Sequence, residues 1–201
     1  MVLLTDINWE IKAEDPEERY IISGVSWEEY EALLSQFGDE INKRVTYLDG
    51  VLEIMSPSYN HEFNKTNIGF FIEIYCLEKR IRYYPWGATT LRKQEKRGGL
   101  EPDESYCFGS KKKQPDLAIE VIATSGGVNK LEVYQRLGIR EVWYFQNNKF
   151  TVYHLQNKTY QEMPNSLLLP DLDLSMLAEY AIFPEPLEAA LAFREKIKGD
   201  S

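Results

Sequence analysis

The sequence is short of the residues that staple or clip a fold. Among 201 residues there are two cysteines, Cys76 and Cys107, and two histidines, His61 and His154. Neither cysteine stands in a C-x-x-C pair, and the histidines lie far apart. A disulfide framework and a structural zinc site are both disfavoured, and the plain reading is two buried thiols. Long apolar runs are missing too: nothing approaches the roughly 18 residues of a membrane helix. A secretory leader has no place, because apolar residues 1–4 are followed at once by Asp6, Glu10 and Lys12. The expectation is a soluble, cytoplasmic protein with no membrane partner. Positive charge is scarce overall. The 23 basic residues against 32 acidic ones leave a net charge of −9, which argues against nonspecific nucleic-acid binding. The balance is uneven, however: basic residues crowd residues 79–113, either as a local basic face or as a solvated surface, and charge alone favours the latter.

Hydrophobic residues make up 43% of the chain and aromatics 13%, enough for a real core. The length suits one domain over residues 1–201, with a core at about residues 45–180. Ser26-Trp27-Glu28-Glu29 reads as a capping box opening a helix that ends near Gly38. Asp49-Gly50 between strand-like runs at 44–48 and 51–55 predicts a hairpin. Helical spacing of Phe63, Asn67, Phe70, Phe71, Ile74 and Leu77 predicts the longest helix over 59–79. Strand-like pieces follow at 82–86, 89–92 and 102–108, with residues 93–99 read as a turn. Residues 116–122 give the clearest strand. After a break at 124–127 comes a helix over 128–137 that stops at Gly138. A second hairpin at 141–146 and 150–155 and a helical arm over 170–180 and 186–198 complete an α/β mixture around one sheet with helices on its faces.

The residue that matters most is Glu120, a carboxylate inside an otherwise apolar strand. Burying it is costly unless it is paired or binds a metal. Alternation puts Asp116, Ala118 and Glu120 on one face of that strand, and Leu117, Ile119 and Val121 on the other. A third acid, Asp103, follows Pro102 on the preceding strand-like segment and comes near Glu120 if the two strands are antiparallel neighbours. Lys130 falls ten residues after Glu120, in the first turns of the next helix. Carboxylates with a cation beside them suit Mg²⁺, which takes oxygen ligands, water and phosphate oxygens. Each residue also has a bland reading: Glu120 as a paired structural acid, Asp116 and Asp103 as turn residues, Lys130 as a solvated cation. The joint pattern P-D, P-D-x-x-x-E, K is much harder to obtain by accident.

The run from Gln114 to Ile122 resembles the signature of the Uma-two family of restriction-endonuclease-type proteins. So do Thr124-Ser125-Gly126-Gly127, Lys130-Leu131, Tyr134, Gly138 and Glu141-Val142-Trp143 after it. Leu48-Asp49-Gly50, Glu53-Ile54-Met55-Ser56-Pro57 with His61, and the segment from Gly99 to Glu104 match as well. The resemblance covers about residues 45–180. It implies a PD-(D/E)XK nuclease fold: a restriction-endonuclease-like mixed β-sheet core flanked by helices, with an N-terminal hairpin and a C-terminal helical arm. It implies a metal-dependent endonuclease acting on DNA, with Asp103 as the first metal-binding acid and Glu120 as the acid of the E-x-K motif. Asp116 is the candidate third metal ligand, Lys130 the candidate catalytic cation, Mg²⁺ the expected metal with Mn²⁺ suited to the same ligands, and a homodimer the expected assembly on duplex DNA. The sequence departs from the plain motif at Ile122, where the motif has lysine, so Lys130 must reach in from the helix. Glu53 and Glu62 are the candidates for a fourth member, and His61 reads first as a packed or capping histidine. The competing reading is a nuclease-fold binding or structural module without activity.

Overall fold

A computed structural model describes residues 17–37, 43–123 and 126–199. In chain order the elements are β1 (Glu18–Ser23), α1 (Trp27–Phe37), β2 (Arg44–Leu48), β3 (Val51–Ser56), α2 (Tyr59–Glu78), β4 (Tyr83–Pro85), β5 (Leu91–Lys93), β6 (Gly98–Leu100), β7 (Glu104–Phe108) and β8 (Leu117–Val121). Then follow α3 (Lys130–Leu137), β9 (Glu141–Gln146), β10 (Lys149–Gln156), β11 (Thr159–Met163), α4 (Leu174–Ala181) and α5 (Pro186–Gly199). The α/β class stands. The expectation of one sheet does not: the strands form two sheets, ordered β1-β3-β2-β6-β5 and β11-β10-β9-β8-β7-β4.

Local chemistry explains many of the boundaries. The Ser26 amide donates to Glu29 Oε2 at 2.7 Å and the Glu29 amide to Ser26 Oγ at 3.2 Å, which completes the capping box of α1. Gly38, the expected stop, lies outside the described residues, as do Thr124 and Ser125 of the expected break after β8 and the apolar residues 1–4. Asp49 and Gly50 take φ of 48° and 86°, the positive pair that a tight hairpin between β2 and β3 requires. Residues 98–100 form strand β6 where a turn was expected. Gly99 is in the strand because a Cβ there would run into the Tyr30 hydroxyl and sit 2.9 Å from Arg92 Cβ. β1 and the edge strand β11 are further additions to the expected set.

The six-stranded sheet is antiparallel except for the parallel β8–β9 pair, which α3 bridges. One face of this sheet, through Leu117, Ile119, Val121, Trp143 and Phe145, packs against α2, α4 and α5. At roughly 1.5–3 kcal/mol per fully buried large side chain, Ile68, Phe71 and Ile72 of α2 and Phe193 of α5 are major contributors to this layer. The opposite face, through Ala118 and Val142, meets Val133, Tyr134 and Leu137 of α3 together with Leu91 and Leu100 of the five-stranded sheet. Glu120 projects on this second face, where α3 is wedged between the two sheets.

Candidate active site

Antiparallel pairing of β7 with β8 sets Glu104 opposite Ile119 and Ser105 opposite Ala118. Continuing that register, the Asp103 amide donates to Ile119 O at 3.1 Å and the Val121 amide donates to Asp103 Oδ2 at 2.8 Å. Asp103 is thereby fastened beside Glu120, and both residues are 0% exposed. Lys130 and Tyr134 stand one helical turn apart on α3, so both face the strand. Lys130 Nζ lies 2.6 Å from Glu120 Oε2, and the Tyr134 hydroxyl donates to Glu120 Oε1. The lysine thus reaches from the helix into the place that Ile122 cannot fill.

Asp116 does not join them. Its amide bonds to Tyr106 O at 2.8 Å, and its Oδ2 accepts from the Phe108 amide at 2.9 Å and from Lys112 Nζ at 2.5 Å. It shares the face of Glu120, but four residues at roughly 3.3 Å each separate their positions by about 13 Å. Alternation fixes a face and leaves distance along the strand open, so the expected third ligand is corrected to a strand-entry acid.

Other parts of the chain complete the cluster. His61, in the first turn of α2, sits with Nε2 2.9 Å from Asp103 Oδ1 and Nδ1 2.8 Å from Glu17 Oε1. Its amide donates to Ser58 Oγ at 3.1 Å, so Ser58 and not His61 caps the helix, and the buried His61 ring serves Asp103. Arg44 on β2 brings Nε to 3.7 Å from Asp103 Oδ1 and its terminal nitrogen to 3.3 Å from Glu62 Oε1. Glu62 also takes Lys65 at 2.9 Å, so it supports Arg44 from one shell further out. Glu53 is 2% exposed and accepts the Val128 amide at 2.8 Å, with Arg19 Nε 3.8 Å away. A Cβ on Gly127 would collide with the Glu53 carboxylate, so the glycine lets the chain close over it on the way to Lys130. Glu53 therefore anchors the segment that delivers the lysine.

Electrostatics follow from burial and these partners. Burial works against the His61 imidazolium, yet the bonds to Asp103 and Glu17 outweigh it and push its pKa up to about 9. At neutral pH both ring nitrogens then donate. For Asp103, burial again opposes the charge, and His61, Lys130 and the Val121 amide bring it down to about 2. Glu120 is raised by burial first, against the pull of Lys130, with the Asp103 anion adding to the rise. Lys130, although burial disfavours its charge, is lifted to about 12 by Glu120 and Asp103, so it acts as a fixed cation and not as a base. A cavity of about 280 Å³, lined in part by Val121, Lys130 and Tyr144, opens beside this lysine.

A family model, Uma2, described as "Putative restriction endonuclease", matches residues 27–184. The chain belongs to the Uma2 family. Membership agrees with the two-sheet α/β architecture as a restriction-endonuclease-like fold, and the matched span contains every residue of the cluster except Glu17 and Arg19. A search of curated proteins finds no match. No helix among the described residues is long and apolar enough to cross a membrane. Within this Uma2 protein, Asp103, Glu120 and Lys130 converge as the sequence suggests. Tyr134 was visible only as a matched family position, and Arg44 and Glu17 carried no signal of their own.

Do these residues suit a metal? Asp103 and Glu120 offer four hard carboxylate oxygens. His61 and Val121 N occupy those of Asp103, Lys130 and Tyr134 those of Glu120. Among the described residues no group of three or more His, Cys, Asp or Glu is gathered as a ready cage. Two carboxylates with the remaining positions left to water and phosphate is the arrangement Mg²⁺ commonly takes, so the donor set fits a hard divalent cation.

Proposed function

We propose that this protein is a divalent-metal-dependent nuclease that hydrolyses phosphodiester bonds in DNA, with Asp103 and Glu120 holding the cation and Lys130 as the catalytic cation. The observation that carries the reading is the 2.6 Å contact of Lys130 Nζ with Glu120, made from α3 and not from the strand. When bound, Mg²⁺ or Mn²⁺ supplies Lewis acidity, acidifying a water and offsetting charge on the phosphoryl oxygens. The protein's own groups do the rest. Lys130, protonated throughout the neutral range, lies where it can orient the attacking water or neutralise charge that grows on the phosphate in the transition state. Tyr134 fixes the Glu120 carboxylate. The Val121 amide and His61 fix Asp103. Cutting both strands of a duplex calls for two such sites, which a symmetric homodimer would supply.

One observation favours a second reading, a nuclease-fold module without activity: all four carboxylate oxygens already have protein donors. A plasmid-nicking assay in Mg²⁺ and in Mn²⁺ separates the two. Under the nuclease reading the wild type nicks and Lys130→Met is slower by about 10²-fold or more. No nicking in either metal, or wild-type nicking by Lys130→Met, sinks the assignment.

A further inference from the structure

A second cavity, of about 590 Å³, lies on the Arg44 side of the acid pair and carries a charge unlike the rest of the chain. Lys43, Arg44 and Arg92 line it with the hydroxyl residues Thr89 and Thr90, and Glu101 is the one carboxylate among the described lining residues, in a protein whose net charge is −9. Arg44 joins this cleft to Asp103 across 3.7 Å. Its Nε is buried and makes no hydrogen bond within the protein. The ion pair with Asp103 leaves this donor without a hydrogen-bond acceptor of its own. Arg92 bonds Glu31 through Nε at 2.9 Å yet keeps 41% of its side chain exposed, so its guanidinium edge remains accessible. Glu101 accepts from Thr90 Oγ1 at 3.0 Å, so one of its oxygens is already engaged within the cleft.

We propose that this cleft is a phosphate subsite: it holds a phosphodiester group neighbouring the one at Asp103 and Glu120, on the same nucleic-acid strand. This rests on the nuclease reading for the strand's identity, while the cleft's charge stands by itself. Arginine forks and a lysine matched to phosphate oxygens provide affinity without base specificity. The strand would therefore run from the Lys130 cavity past the acid pair to Arg92.

The test is binding of a fluorescently labelled single-stranded DNA oligonucleotide to the full chain in EDTA, by anisotropy across a salt series. Arg92→Gln and Lys43→Gln are each expected to weaken binding and to reduce the salt slope by about 0.7, the release expected for one phosphate contact on a single strand. Glu101→Gln is expected to tighten it. Lys158→Gln, in the remote turn before β11, is expected to change neither. Opposite signs at Arg92 and Glu101 cannot arise from misfolding. The proposal is overturned if these variants bind like the wild type or shift in the same direction. It is also overturned if inorganic phosphate competes as tightly as the oligonucleotide, since a strand site would then be wrong. Because the readout needs no cleavage, charge-dependent binding by a wild type that never nicks removes the nuclease reading and keeps the subsite. Nicking with charge-indifferent binding removes the subsite alone.

Discussion

Glu120 and Glu141 look alike in sequence: each is an acid in an apolar run, on adjacent strands β8 and β9, and each is 0% exposed. Their surroundings differ completely. Glu141 Oε1 accepts from Trp143 Nε1 at 2.6 Å and from Ser166 Oγ at 2.5 Å, while Oε2 accepts from the Leu167 amide at 3.0 Å and has His154 Nε2 at 2.9 Å. Ser166 in turn accepts from the Leu168 and Leu169 amides, so this carboxylate clamps the segment before α4 to the sheet. Glu120 instead faces a second carboxylate and a lysine beside a cavity. A buried strand acid alone is thus no sign of chemistry. Like charge nearby, a near-buried cation and open space distinguish Glu120, the acid proposed to act in the chemistry.

Exchanging the two acids for their amides should separate these roles most sharply. Glu120→Gln is expected to lower nicking by about 10³-fold while the protein stays folded. Glu141→Gln is expected to cost about 2–4 kcal/mol of stability, because the amide nitrogen is set against donors, with nicking per folded molecule unchanged. Denaturation curves and initial rates on both variants check this, and a pattern with the effects reversed would break the contrast.

The next effect is pH-dependent and specific to the Asp103 side. The His61 pKa is raised in the folded state, so its contribution to stability is complete below the unfolded value of 6.5 and fades as pH climbs through about 9. The Asp103 shift describes the same bond from the other side and fades instead as pH falls toward about 2. In metal-free buffer, the unfolding free energy from urea titrations is expected to fall between pH 6.5 and 9, by an amount on the order of 2–3 kcal/mol. His61→Gln should flatten that fall; an equally steep decline in the variant would place its origin elsewhere.

Tyr134→Phe removes one donor from Glu120 and is expected to slow nicking by about tenfold, with about 1 kcal/mol lost in stability. The smallest effect belongs to Asp116→Asn. Its partner Lys112 is 39% exposed, and such a pair contributes at most about 1 kcal/mol. Nicking should be unaffected; a large loss of activity there would return Asp116 to the site.

The strand that carries Glu120, its alternation and the antiparallel approach of Asp103 were legible because pleat and register are local rules. Lys130 was legible through its family motif, and the structure supplies the reach. His61 was undervalued because its partner Asp103 lies 42 residues away and only the packing of α2 on the sheet brings them together. Arg44 and Glu17 were hidden for the same reason. The glycine pair that became β6 read as a turn, since nothing local reveals that Tyr30 needs the room of a missing side chain. The polar edge strand β11 offers only a weak apolar pattern, being mostly solvent-facing.

The central claim is that Asp103 and Glu120 together hold a divalent cation. Calorimetric titration of Mn²⁺ into the wild type, Asp103→Asn, Glu120→Gln and Glu141→Gln, with a DNA oligonucleotide present, tests it directly. The account predicts one site in the wild type and in Glu141→Gln, and none in the other two. Undiminished binding by Glu120→Gln would contradict it.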